Sequence, residues 1–175
     1  MERILGKSFM KLGSNTNILI TGSGGYLGSH ILEYLGAKGI TDDIRNKEAL
    51  KPYFKNIDYV IHAAGKTPGS DNYHDVNVLG TKNVAELCIE NNCKMIHLGS
   101  VETREDYGIS KQESQDMLMN MKGLKVVILK LCSIAIRGDH RRYPLQRLLE
   151  DIENIIKSHN FDEKSINLYK PEKSV

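Results

Sequence analysis

No stretch of the sequence approaches the roughly 20 apolar residues that a membrane-spanning helix needs, which sets aside an integral-membrane reading. Residues 1–15 lack a long apolar segment ahead of a small-residue cleavage site, so residues 1–16 read as a polar leader rather than a secretory signal. An excess of one charge is missing too. The 24 Lys and Arg against 22 Asp and Glu leave +2, no global case for nucleic-acid binding. Cysteine is scarce: Cys88, Cys93 and Cys132 form an odd set without framework spacing, which points to free thiols in a reducing compartment and to a cytoplasmic protein. No grouping of His, Cys, Asp or Glu has metal-ligand spacing, so no metal is expected, and His62 and His97 read as packed or hydrogen-bonded residues. Repeats and low-complexity tracts are absent. What is present, 175 residues with 40% hydrophobic and 26% charged, suits one globular domain with its own core.

Short apolar runs predict strands over residues 17–21, 57–62, 94–98 and 125–131. Helical spacing predicts helices over 26–35, 47–54, 75–91, 107–121 and 144–157. This alternation predicts an α/β fold with a doubly wound parallel sheet, and ligands in such sheets bind beyond the carboxyl ends of the strands. Only residues 36–42 separate the first helix from Asp43. Either a strand and its helix are deleted there, or 38–41 form a stunted second strand. Leu145, Leu148, Leu149, Ile152, Ile155 and Ile156 form a helical stripe, read as packing on the sheet ahead of contact with a partner chain. The tail after His159 reads as polar and loosely ordered. The expected organisation is a leader (1–16), a nucleotide-binding domain (17–135), and a C-terminal helix and tail (136–175).

Two patterns carry chemistry. Gly22-Ser23-Gly24-Gly25-Tyr26-Leu27-Gly28 lies between a strand and a helix, where glycine lets the backbone approach a pyrophosphate and the helix N-terminus faces the anion. Tyr107 and Lys111 stand four apart on one helical face, and a nearby ammonium lowers a phenol's pKa toward working pH. Tyr34/Lys38 and Tyr169/Lys173 share the spacing, but only Tyr107 follows a strand that ends in Ser100. Asp42 and Asp43 fall 20 and 21 residues after Gly22 (42−22 and 43−22), near the spacing of a ribose-binding acid. Arg137, His140, Arg141 and Arg142 read as a solvated basic turn, with contact to a substrate diphosphate as the alternative.

Taken in order, segments 21–28, 43–45, 58–65, 77–84, 98–100, 107–111 and 128–131 resemble the extended short-chain dehydrogenase/reductase family, the NAD-dependent sugar epimerase/dehydratase group, over roughly residues 17–140. The resemblance implies a Rossmann-type domain, reduced in strand number and with little or no substrate domain. It implies Tyr107 as general acid/base, Lys111 holding the nicotinamide ribose and lowering the Tyr107 pKa, Ser100 bonding the reacting oxygen, and Asn77 organising the site. Gly22, Gly24, Gly25, Tyr26, Leu27 and Gly28 would hold the pyrophosphate. Asp43 and Ile44 would meet the adenosine end, and Ala63, Ala64 and Gly65 would line the cofactor. NAD is the expected cofactor, with NADP open. The implied activity is an NAD(P)-dependent epimerase, dehydratase or reductase of a nucleotide sugar. A non-catalytic nucleotide-binding protein and a small-carbonyl dehydrogenase remain as alternatives. A homodimer through helices 75–91 and 107–121 is implied as well, the second carrying Met117, Leu118, Met119 and Met121. Ser100 and Tyr107 are seven apart (107−100) where the family inserts a longer loop, so Ser100 is expected to fall short of its usual reach.

Overall fold

The computed structural model describes residues 16–132, 134–135, 143–158, 161 and 164–169. The apolar runs become strands: β1 (Ile18–Thr21), β2 (Lys38–Ile40), β3 (Tyr59–His62), β4 (Lys94–Ser100), β5 (Lys125–Leu131), the short pair β6 (Ile134–Ala135) and β7 (Tyr143–Pro144), and β8 (Ser165–Tyr169). Six of them form one sheet in the order β2-β1-β3-β4-β5-β8, with every pairing parallel. β1 and β3 are buried at every position, as strands covered on both faces must be.

Helices α1 (Tyr26–Leu35) and α5 (Leu145–Ser158) cover one face. Ile31 and the α5 stripe meet Ile20, Ile61, Ile96 and Leu129 there. The stripe is core, with Ile155 alone half-buried, which favours the packing reading. The other face carries α2 (Lys47–Leu50) with the 3₁₀ turn Lys51–Phe54, then α3 (Thr81–Glu90) and α4 (Glu105–Asn120). Phe54, Leu87 and Leu118 close over Val60, Met95 and Ile128 on that side.

The chain leaves β1 outward to β2 and then returns to β3 on the other side of β1, so the winding reverses between β1 and β3. A ligand crevice belongs at the carboxyl ends of those two strands. Of the two readings of residues 36–42, the stunted strand is the one that forms: Leu19, Ile20 and Thr21 pair with Lys38, Gly39 and Ile40.

Two sequence expectations change. The helix expected over 75–91 starts as a wider π-helical turn, His74–Gly80, before tightening into α3. The tail expected to be loose supplies β8, which pairs with β5 from Val127–Ser165 to Leu131–Tyr169. An open β5 edge would leave a row of unpaired backbone groups, and β8 satisfies them. Two anchors fix the approach to it. Phe161 is buried with its ring 5.7 Å from Tyr59, and the Lys164 ammonium donates to the carbonyls of Leu118 (3.0 Å), Met119 (2.9 Å) and Met121 at the end of α4. Arg137, His140, Arg141 and Arg142 lie outside the described residues.

Candidate active site

The glycine loop sits at the predicted crevice. Gly22 has φ +69°, and a Cβ there would stand 2.5 Å from the Ala64 Cα, so only glycine lets the loop press onto the end of β3. A Cβ on Gly28 would stand 2.1 Å from the Gly22 carbonyl oxygen, which makes that glycine the condition for α1 to start so close to β1. Gly25 differs: it is exposed, and its Cβ would meet only the Gly22 oxygen, at 3.3 Å. Gly25 is also the N-cap of α1, with no side-chain cap and no acid in the first turn. A ten-residue helix thus presents N–H groups without a side-chain cap, and its positive end, beside exposed glycines, a cradle that fits a pyrophosphate. Tyr26 is exposed beside His30, and Leu27 packs against the core.

Beside the loop runs the strap that leaves β2. The Ser23 amide donates to the Ile40 carbonyl at 3.1 Å, and a Cβ on Gly24 would stand 3.1 Å from the Thr41 methyl. Asp42 lies next, exposed, with the Tyr53 hydroxyl donating to it at 3.4 Å. Asp43 accepts from Arg45 Nε at 3.0 Å and from its terminal nitrogen at 2.6 Å, and these bonds hold its carboxyl down at about 2. Ile44 is buried, its side chain packed into the core under Gly80. The Asn83 amide donates to the carbonyls of Ile44 (3.1 Å) and Arg45 (3.0 Å) and so fixes the strap, a role the sequence did not signal.

Tyr107, Ser100, Lys111 and Asn77 converge where β4 ends and α4 begins. The Ser100 hydroxyl accepts from the Glu102 amide at 3.0 Å and lies near enough to the Tyr107 phenol to pull its pKa down. The short loop does not keep Ser100 away. It folds tightly onto α4 because position 108 is glycine, where a Cβ would stand 2.8 Å from the Thr103 backbone. Asn77, projected by the π-helical turn, is buried. It accepts from the Lys66 amide at 2.8 Å and donates to Ser110 Oγ at 3.0 Å, and Ser110 in turn donates to the Tyr107 carbonyl at 2.7 Å. π-Turns of this kind often aim a side chain at a functional site. Gly65 closes the ring: its Cβ would lie 3.1 Å from Asn77 Oδ1 and 3.9 Å from Lys111 Nζ.

Lys111 is buried, donates to the Leu98 carbonyl at 2.9 Å, and is pulled down to about 8 by desolvation. The expected lowering of Tyr107 does not appear. Burial raises the phenol, the Ser100 hydroxyl opposes it, and Tyr73, edge-on at 5.8 Å, adds to the rise. The ammonium is turned to Leu98 instead. The rival Tyr34 donates to Glu153 at 2.8 Å and is pushed up to about 12, while its spacing partner Lys38 lies on β2, off the helix.

A second polar layer lies beneath, at the ends of β3 and β4. His62 bridges the hydroxyls of Thr21 (2.7 Å) and Thr81 (2.9 Å), and burial holds its pKa down at about 3. His97 stacks on it at 5.2 Å, is lowered further by burial, and has no hydrogen-bond partner at either ring nitrogen. Buried Gln115 accepts the Ser100 amide at 3.1 Å through Oε1, while its Nε2 has no partner. Gln115 escaped the sequence reading. Its only signal is a place one helical turn beyond Lys111. Among the described residues no helix is long and apolar enough to cross a membrane.

A family model described as NAD dependent epimerase/dehydratase matches residues 18–170. Sterol-4-alpha-carboxylate 3-dehydrogenase, decarboxylating, from Homo sapiens is 29% identical over 126 residues, covering 59% of this chain and 34% of that one. The Bos taurus protein of the same name is 30% identical over 93 residues, 41% and 26% of the two chains. The chain thus spans about a third or less of the curated relatives it matches. Among solved structures, dTDP-glucose 4,6-dehydratase (rfbB) from Bacillus anthracis str. Ames in complex with NAD superposes with TM-score 0.76 at 14% identity, over 90% of this chain and 76% of that one. The Bordetella bronchiseptica enzyme WbmG in complex with NAD gives 0.63 at 22% identity, over 71% and 56%. At such identities these likenesses establish the fold.

Proposed function

The chain belongs to the NAD dependent epimerase/dehydratase family, and from that premise we propose that it is an NAD-dependent oxidoreductase of the short-chain dehydrogenase type, acting at a hydroxyl-bearing carbon of a nucleotide sugar. The observation that carries this is the meeting of Tyr107, Ser100 and buried Lys111 beside an uncapped glycine loop. In this reading the loop from Gly22 to Gly28 holds the pyrophosphate, the strap at Asp42–Asp43 faces the adenosine end, Ala63 to Gly65 line the cofactor, and Lys111 holds the nicotinamide ribose. Bound NAD supplies the hydride acceptor.

The chain's own residues handle the proton. Ser100 donates a hydrogen bond to the reacting oxygen. Ionised Tyr107 takes the hydroxyl proton as the carbon becomes a carbonyl, and returns it in the reverse direction. Because burial raises the phenol, the neutral acid predominates near neutrality, and oxidation is expected to quicken as pH rises. Relatives named as sterol dehydrogenases favour a second substrate class, a sterol bearing a carboxylate beside its hydroxyl.

The test is turnover of NAD with panels of nucleotide sugars and hydroxysterol carboxylates, with product chromatography to catch epimerisation. Tyr107→Phe is expected to keep the fold and NAD affinity while losing roughly two to four orders of magnitude in turnover. A variant as active as wild type refutes the assignment. Binding of NAD without turnover of any compound favours a nucleotide-binding role.

The same reading includes a homodimer through the helical segments 75–91 and 107–121. Met117, Met119 and Met121 are half-buried on the chain's own core, whereas Leu79 in the π-helical turn and Ile109 on α4 are 47% and 56% exposed. Those two residues are the proposed seam, and light scattering that gives a monomer at micromolar concentration counts against it.

A further inference from the structure

Gln115 is buried in a way that its packing does not explain. Its side chain is 1% exposed, yet Nε2 has no hydrogen-bond partner. Burying an unpaired amide is unfavourable, and an apolar side chain of the same length would serve a purely structural purpose better. The one bond recorded for that side chain is Oε1 accepting the Ser100 amide at 3.1 Å. Space for it exists only because position 99 is glycine: a Cβ there would stand 2.2 Å from Oε1. Ser100 ends β4, and Gln115 lies on α4 with Tyr107 and Lys111, so the contact ties the strand that carries one site residue to the helix that carries two.

We infer that Gln115 is a positioning residue: through the Ser100 amide, over the notch at Gly99, it sets the reach between the Ser100 hydroxyl and the Tyr107 phenol. The inference rests on the acid–base reading above for its meaning, though not for its test. Around the phenol stand Ser100, the Tyr73 ring at 5.8 Å and the Glu102 carboxylate, and Ser100 alone opposes the effect of burial. Drawing the Ser100 hydroxyl away should therefore move the phenol's titration upward.

The experiment compares the full-length wild type with Gln115→Met, Gln115→Glu and Gly99→Ala. Thermal unfolding of Gln115→Met should occur at or above the wild-type midpoint, because an unpaired buried amide is removed. By NMR, the Ser100 amide should exchange at least ten-fold faster in Gln115→Met and Gly99→Ala, and stay protected in Gln115→Glu, which keeps an acceptor. Ring-labelled tyrosine, assigned with Tyr107→Phe, should titrate at higher pH in Gln115→Met. Where a substrate turns over, kcat should fall with KM little changed. Should Gln115→Met fail to fold, Gly99→Ala carries the same test, since its methyl displaces Oε1. Unchanged Ser100 exchange and Tyr107 titration in the folded variants overturn the inference, as does lost stability that accounts for every other change. A protein that binds NAD and converts nothing overturns the acid–base reading alone, because the two NMR readouts still decide the role of Gln115.

Discussion

Lys111→Met tests the electrostatics of the site through stability. The Lys111 side chain is buried, its recorded bond is to the Leu98 carbonyl, and desolvation lowers it from 10.5 to about 8. That drop from 10.5 to about 8, at roughly 1.4 kcal/mol for each tenfold change, means that the charged form costs the fold about 3 kcal/mol. Removing the ammonium recovers that and forfeits about 1 kcal/mol of hydrogen bond. At pH 7, Lys111→Met should be more stable by about 2 kcal/mol, or about 4–8 °C in a domain of this size. The sign with pH is fixed. Between pH 8 and 10.5 the unfolded chain holds a proton that the folded chain has released, so wild-type stability rises there. The variant's advantage should be full below pH 8, shrink through that window, and vanish above it. NAD affinity, read by calorimetry, should meanwhile fall about ten-fold or more, as when a charged hydrogen-bond donor is lost. Thermal melts from pH 6 to 10 decide the matter. A variant no more stable than wild type at pH 7, with a gap that ignores pH, refutes an uncompensated buried ammonium.

Two further outcomes follow from the same geometry. Gly25→Val should fold and lose NAD binding, because its side chain enters the open cradle, whereas Gly28→Val should fail to fold, because its Cβ meets the Gly22 oxygen at 2.1 Å; circular dichroism and calorimetry separate the two, and full NAD affinity in Gly25→Val removes the cradle from consideration. His62 and His97 are held neutral by burial, so acidification below pH 6.5 should destabilise the fold through both, by about 1.4 kcal/mol per pH unit toward 3 for His62. His97→Phe should remove one of these contributions in urea unfolding from pH 4 to 7, and an unchanged slope contradicts its buried neutral state.

The glycine loop and the Tyr107/Lys111 pair were legible in the sequence because each couples a residue type to a fixed place beside a strand, and place is what periodicity reports. Ser100 and Asn77 were legible by resemblance, and the structure brings both to the same point. Gln115 was not legible. A glutamine in a polar helix looks solvated until the glycine opposite it, at position 99, is known to face it. The Tyr107 titration was misread for a similar reason: spacing gives proximity along a helix, but not which carbonyl the ammonium turns toward. β8 was hidden because a five-residue strand at a sheet edge owes its existence to the partner edge, and nothing in its own composition announces it. The pairing of Asp43 with Arg45 was invisible because residues two apart meet only in a turn.

The Lys164 contact gives this fold an order of assembly. The ammonium that closes the carboxyl end of α4 comes from 43 to 46 positions further along the chain. At ordinary rates of synthesis that is a lag of roughly 2–9 s after the helix is made. During that interval β1, the glycine loop and α1 are already complete, while α4 ends in open carbonyls and β5 has a bare edge. Until Lys164 arrives, the last turn of α4 therefore lacks that cap, and the β5 edge waits for the strand that follows directly on Lys164.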